Sequence, residues 1–190
     1  MMVALALPIL IGLGLWQVSR LHWKQQVIAD MRAAATLPML HVTGPIPPGS
    51  AFRTAGMQLD CPAQVPLSEA ARNLKGDSGW SHILACTAPG GESTQLMLGW
   101  SAAGAPPASE SIPAGQRRVQ GVLVPGAHVD WRLYPHAAPA PLQPIQSPTP
   151  ETMPNNHKLY AIQWFAFAGI LLVVYGLWIR RWVAQRSPAA

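Results

Sequence analysis

The sequence predicts a membrane protein in which two transmembrane α-helices flank a small β-rich (α+β) extramembrane domain. Two apolar runs predict the helices: one opens the chain from Met1 to Leu15, and the other runs from Ala161 to Ile179 without a charged residue. A helix needs about 20 mainly apolar residues to cross the hydrocarbon layer. Between the runs, short apolar or alternating pieces are separated by proline and glycine, a pattern typical of β-strands.

Residues 1–19 form the first predicted span. A cleaved secretory signal would have a basic start and a small-residue cleavage site directly behind its apolar core. Here no Lys or Arg precedes Arg20, and the three alanines at 33–35 lie well beyond the core. The pattern therefore favours an uncleaved anchor, and we expect an amphipathic continuation of its helix through Ala35.

Residues 20–134 are assigned to one extramembrane domain, because the polar stretch between the spans is enough chain for a single domain of ordinary size. A helix is expected at 67–74, where Ser68 is placed to cap it. Strands are expected at 40–44, 81–86, 94–100 and 117–124.

Residues 135–156 form a proline-rich strap, with seven prolines between Pro135 and Pro154. Because proline cannot donate to a strand ladder, we expect this segment to run extended along the domain surface as a semi-rigid linker. A proline-motif ligand is the weaker reading, since the spacing is irregular. Residues 157–180 then form the second span, and residues 181–190 form a basic tail.

The net charge of +5 argues against a nucleic-acid partner. Three terminal arginines carry +3 of it, and the rest of the chain has ten basic and eight acidic residues. Membrane-flanking charge accounts for this balance without nucleic acid, so membrane lipid is the expected surrounding. Basic residues near the spans are nearly equal on both sides, and charge therefore does not orient the protein.

Catalytic motifs do not emerge from the sequence. It has no Gly-x-Ser-x-Gly elbow, glycine-rich phosphate loop or histidine pair at metal-ligand spacing, and we expect no enzyme. Cys61 and Cys86 lie in the extramembrane domain without a Cys-x-x-Cys motif. In an oxidising compartment they would form one disulfide, and two free thiols are an equal alternative.

His157 stands where the polar segment meets the second span, and ionisable residues at such positions are functional candidates. On a helix, His157, Ala161, Trp164 and Ala168 share one stripe. A histidine beside small residues and tryptophan suits a flat macrocycle with the imidazole on its iron. On these residues alone, close helix packing with Trp164 and Tyr160 anchored at the head groups is the favoured reading.

Two segments carry a family resemblance. Pro154 to Ala168 contains Asn-Asn-His followed by Tyr-Ala-Ile-Gln-Trp-Phe, and it closely resembles the second-span signature of the surfeit locus protein 1 family of cytochrome c oxidase assembly factors. The first span has Leu-Gly-Leu-Trp-Gln and then Arg20 and Lys24, similar to the family's first-span signature. The centre resembles the family loosely, since Leu98-Gly99-Trp100 lacks the arginine usual before that Gly-Trp.

The resemblance implies a multi-pass protein of the bacterial inner (plasma) membrane, with both termini cytoplasmic and the domain in the periplasm. It also implies help with haem a delivery to, or insertion into, subunit I of a haem-copper oxidase, alongside the haem a synthesis machinery. His157 falls on the histidine assigned to haem in bacterial relatives and is the expected metal ligand. Further cofactor-binding expectations fall on Trp164, Tyr160, Arg20 and Lys158, with Lys24 as another partner for the haem propionates.

We expect the two spans to pair through Gly12 and Gly14 on one helix and Ala161 and Ala168 on the other. Trp100 or Trp131 would anchor the oxidase if exposed. One alternative function is a haem-free scaffold that stabilises an oxidase assembly intermediate. Another is a membrane-tethered thiol oxidoreductase using the two cysteines, a minor hypothesis without a Cys-x-x-Cys motif.

Overall fold

The computed structural model describes residues 2–102, 110–153 and 155–186. Pro154 of the strap and the last four residues of the tail lie outside these ranges. The chain divides into a helical unit, built from residues up to 28 and from 153 onward, and a β-rich unit of residues 29–152. Within the described residues the elements are α1 (Met2–Ala35), β1 (Leu40–Val42), β2 (Thr54–Cys61), β3 (Leu67–Arg72), β4 (Ser78–Thr87), β5 (Ser93–Ala102), β6 (Gly115–Pro125), β7 (Trp131–Pro135) and α2 (His157–Arg186).

Both helices are long and apolar enough to cross a membrane. Their large apolar side chains are mostly exposed, for example Leu5, Ile170 and Val173 at about 60% or more. Such exposure is typical of a surface that faces lipid rather than water. The predicted class, two transmembrane helices with a β-rich extramembrane domain, is confirmed, and α1 continues to Ala35 as expected.

The β-rich unit is a seven-stranded sheet in the order β1-β2-β6-β7-β5-β4-β3. A further pairing of Asp60 with Thr87 joins β2 to β4, so that five of the strands close on themselves. This pairing joins only the carboxyl-terminal ends of β2 and β4. It leaves β1, parallel to β2, and β3, antiparallel to β4, as flanking strands.

The core of this unit lies inside the closed sheet. Leu59, Leu84, Leu123 and Leu133 come from four different strands and are 0% exposed. They face one another because alternate residues of a strand point to the same side. Cys61 and Cys86 are joined by a disulfide, next to the Asp60 and Thr87 pair. The structure thus decides between the two alternatives left open for the cysteines.

The helix expected at 67–74 is wrong, because residues 67–72 form strand β3. Leu, Glu and Ala favour helix locally, but the segment pairs with β4 from Leu67 with Ile83 to Arg72 with Ser78. Hydrogen bonding along the free edge of β4 outweighs a propensity of a few tenths of a kcal/mol per residue. Asn73 then ends the strand, since its Oδ1 accepts hydrogen bonds from the backbone N–H groups of Lys75 and Asp77.

The four expected strands are present as β1, β4, β5 and β6, whereas β2 and β7 were not predicted. Pro135 of the strap ends β7. The other described residues of the strap form no strand, but they contribute more than a surface linker. Ile145 is buried, and isolated bridges join Ile145 to Asn73 and Gln143 to Trp100. Trp100 is itself buried and donates a hydrogen bond to the backbone oxygen of Ala71. It therefore offers no exposed anchor.

Candidate functional site

His157 is the first residue of α2 and makes a hydrogen bond to the other helix. Its Nδ1 lies 2.7 Å from Oε1 of Gln17 on α1, and the pair is partly buried. Because an amide oxygen accepts and cannot donate, Nδ1 carries the proton. The neutral imidazole then has its lone pair on Nε2, the nitrogen directed away from this bond.

The start of α2 holds the histidine in place. Backbone N–H groups of Leu159 and Tyr160 donate to the backbone oxygen of Asn156, which is the usual pattern for the residue before a helix. Asn155, one residue earlier, has a buried Oδ1 that lacks a hydrogen-bond partner within the described part of the chain. A free acceptor thus lies two residues before His157.

Near this bond the two helices approach at small residues. A Cβ at Gly14 would lie 2.7 Å from the ring of Phe165, so only glycine leaves this ring its present position. Ala161 and Ala168 are each 5% exposed, as close packing of small residues predicts. Gly12 is exposed and a Cβ there would meet nothing within 4 Å. The expected pairing through Gly12 is therefore wrong, and Gly14 carries the contact.

The remaining expected site residues on α2 lie within two turns of His157 in sequence. Tyr160 is 50% exposed one turn along α2, and Trp164 is half-buried in an edge-to-face contact with Phe167, their centroids 6.2 Å apart. Lys158 is exposed. The first two turns of α2 thus carry two aromatic side chains and one cation together with the imidazole.

Arg20 lies one turn beyond Gln17 on α1. Its guanidinium carbon is 5.7 Å from the ring centroid of Trp16 and 5.6 Å from that of Trp23. These distances suit cation–π attraction. Arg20 is exposed, so the guanidinium is held between two rings while its N–H groups stay accessible.

Comparison of the sequence with models of known protein families identifies its family. The model of the SURF1 family matches residues 4–169, which include most of α1, the whole β-rich unit and the first part of α2. The chain belongs to the SURF1 family. No curated protein matches the sequence significantly. Membership of this assembly-factor family is consistent with a role in cytochrome oxidase assembly, and the family is not known for enzymatic activity.

As a metal site, this member of the SURF1 family offers a single imidazole. Among the described residues, no group of three His, Cys, Asp or Glu side chains is placed to hold a metal ion. A structural zinc site needs about four protein ligands. Haem iron already has four porphyrin nitrogens and needs only one or two axial ligands, so a lone histidine is the donor that suits it.

The β-rich unit contains the titratable groups with shifted pKa values. Burial lowers the pKa of His82, whose Nε2 lies 2.8 Å from Oγ of Ser101. Burial also raises the pKa of Tyr134. The disulfide cysteines are 1% and 5% exposed, and thiol exchange requires access to sulfur. This burial disfavours the thiol oxidoreductase alternative.

The sequence indicates Gln17 only as part of the first-span signature and does not indicate its hydrogen-bond partner. The available signal was its chemistry: an amide directly follows an apolar run, where a polar group needs a hydrogen-bond partner. Which partner it finds depends on the second helix, 140 residues later.

Proposed function

We propose that this protein assists delivery of haem a to subunit I of a haem-copper oxidase, with His157 as a transient axial ligand. The observation that carries the proposal is the hydrogen bond from His157 Nδ1 to Gln17 Oε1 at 2.7 Å. It leaves Nε2 as the coordinating nitrogen, and ligating histidines usually donate their other N–H to an acceptor in this way.

The residues around His157 match the parts of a haem. Tyr160 and Trp164 offer aromatic surface for the macrocycle. Arg20, Lys24 and Lys158 offer charge-assisted contacts for the two propionates. The free Oδ1 of Asn155 suits a hydroxyl donor, and haem a carries one hydroxyl on its farnesyl side chain. Haem a is cargo here, and its chemistry is performed only in the oxidase.

Release of the haem would be favoured by the openness of the site around His157. The site has one protein ligand, and Tyr160 and Lys158 beside it are exposed. A site with one protein ligand would leave the iron accessible to a ligand from subunit I. Transfer would then replace His157 by that ligand, with the haem synthesis machinery as donor and subunit I as acceptor.

The proposed location is the inner membrane of a bacterium, with the β-rich domain in the periplasm and both termini in the cytoplasm. Support comes from the disulfide between Cys61 and Cys86, because disulfides persist in oxidising compartments such as the periplasm. Two spans place both termini on the opposite side from the domain between them.

The test is the absorption spectrum of the full-length protein, purified in detergent from cells that make haem a. We expect a haem a spectrum in the wild type and its loss in His157→Ala. His22→Ala is the matched control, because His22 is exposed on α1 and lies about 140° around that helix from Gln17. This control should retain the wild-type spectrum.

The same experiment separates delivery from the scaffold alternative. A wild-type protein without haem, or an unchanged spectrum in His157→Ala, would remove His157 from the proposal. Oxidase activity adds the second criterion, measured in a deletion strain complemented with each variant. A haem-free scaffold would restore activity with His157→Ala as well as with the wild type.

A further inference from the structure

The hydrogen bond between the two spans restricts the chemical form of the histidine. A neutral imidazole carries one proton, on Nδ1 or on Nε2, and only the nitrogen without the proton can bind iron. The Oε1 of Gln17 lies 2.7 Å from Nδ1 and accepts a hydrogen bond from its N–H. The bond therefore selects the tautomer whose lone pair is on Nε2.

We propose that Gln17 is a positioning residue that prepares His157 for haem iron from the opposite helix. This inference rests on the proposed function and assigns a role to the first span. Gln17 does not touch the cargo. It fixes the tautomer, holds the ring plane and leaves the Nε2 lone pair directed at the iron, which are the established effects of an acceptor on a ligating histidine.

The contact between the helices supports this role. Gly14 lies one turn from Gln17, and a Cβ there would overlap the ring of Phe165. Ala161, one turn from His157, is buried. Small residues therefore let the helices approach beside the hydrogen bond, which keeps the amide within reach of the ring.

Gln17→Leu, Gln17→Glu and Gln25→Leu form the variant set. Leucine removes the acceptor and keeps a similar volume. Glutamate keeps an acceptor and strengthens it with charge. Gln25→Leu is the matched control, because Gln25 is an exposed amide on the same helix, about 12 Å further along it.

The first measurement needs no haem. Full-length protein is produced without haem a, labelled with ¹⁵N-histidine, and studied by NMR in detergent at a pH well above the usual histidine range. We expect the His157 signals to show a protonated Nδ1 in the wild type, Gln25→Leu and Gln17→Glu. Gln17→Leu should populate both tautomers. A wild-type protein with the proton on Nε2 would overturn the inference and remove the hydrogen bond that supports the proposed function, which the spectrum of His157→Ala then tests separately.

The second measurement titrates the same proteins with haem a. Loss of the acceptor should weaken haem affinity by about 10- to 100-fold in Gln17→Leu. Gln17→Glu should retain affinity and lower the midpoint potential, because a more basic imidazole stabilises ferric iron. Gln25→Leu should match the wild type in both values.

The outcomes distinguish this inference from the proposed function. Wild-type affinity and potential in Gln17→Leu, with haem lost in His157→Ala, would reject Gln17 and keep His157. No haem binding in the wild type would reject both. Thermal unfolding of each variant in detergent shows whether weaker binding follows from the lost hydrogen bond or from a misfolded protein. Rescue of affinity by Gln17→Glu would confirm that the lost hydrogen bond is the cause.

Discussion

The helical unit and the β-rich unit use opposite means of stabilisation. In the β-rich unit, leucines of four strands are fully buried and a disulfide joins β2 to β4. In the helical unit the apolar side chains are mostly exposed. The β-rich unit carries its own hydrophobic core, whereas the helical unit needs lipid around it.

This difference determines which contacts hold the two helices together. Lipid tails are as apolar as leucine, so helices in a membrane associate through close packing and polar contacts. In the helical unit these are the approach of Gly14 to Phe165 and the bond from His157 to Gln17. One of these two contacts, the bond from His157 to Gln17, therefore also involves the proposed haem ligand.

The largest expected effect comes from matched leucine truncations in the two units. Leu84→Ala empties part of the β-rich core, where Leu84 is 0% exposed, and should cost about 2–5 kcal/mol of unfolding free energy. Leu172→Ala removes the same atoms from an exposed position of α2 and should cost much less. Hydrogen exchange in the full chain measures both, on the β4 and β5 amides for Leu84→Ala and on the α2 amides for Leu172→Ala. Similar losses would contradict the division into two kinds of unit.

Removal of the disulfide should have the next largest effect. Cys61 and Cys86 are 25 residues apart, and restriction of the unfolded chain by such a loop contributes about 3 kcal/mol. The double variant Cys61→Ala with Cys86→Ala should unfold at lower temperature, measured by circular dichroism in detergent. Haem content per folded molecule should stay unchanged. Lost haem binding in folded protein would instead point to a role for the thiols.

A smaller effect is expected at the contact between the helices. Gly14→Leu would overlap the ring of Phe165, and overpacking of this kind typically costs about 1–3 kcal/mol. Haem affinity should fall about tenfold, equivalent to about 1.4 kcal/mol, as the helices separate at Gln17. Gly12→Leu is the control, because a Cβ there meets nothing within 4 Å. Equal haem titrations for the two variants would contradict the assigned contact.

The smallest effect is expected in how the unfolding free energy of the β-rich unit depends on pH. Burial lowers the pKa of His82 below its ordinary value of 6.5. The unfolded state therefore binds a proton first as pH falls, and unfolding free energy should decrease below about pH 6.5. His82→Gln should flatten this slope, whereas His128→Gln, at an exposed loop position, should leave it unchanged. Urea titrations of the full chain across this range provide the measurement.

Much of the fold was predictable because its signals are local. Apolar length predicted both spans, and alternating pieces predicted four of the seven strands. The segment from Leu67 to Arg72 was predicted as a helix, since its residues favour one and its partner strand β4 is a later part of the chain. Strand β2 was missed although its sequence carries the signal, since its buried apolar residues alternate with Gly56, Gln58 and Asp60.

The sequence by itself determined the two spans, the class of fold, the family signatures and the prominence of His157. Each depends on composition or on spacing within a short stretch, where the period of the backbone is sufficient. The tertiary structure decided the disulfide, the closure of the sheet and the partnership of His157 with Gln17. These are contacts between distant segments, and only the folded chain brings their atoms within bonding distance.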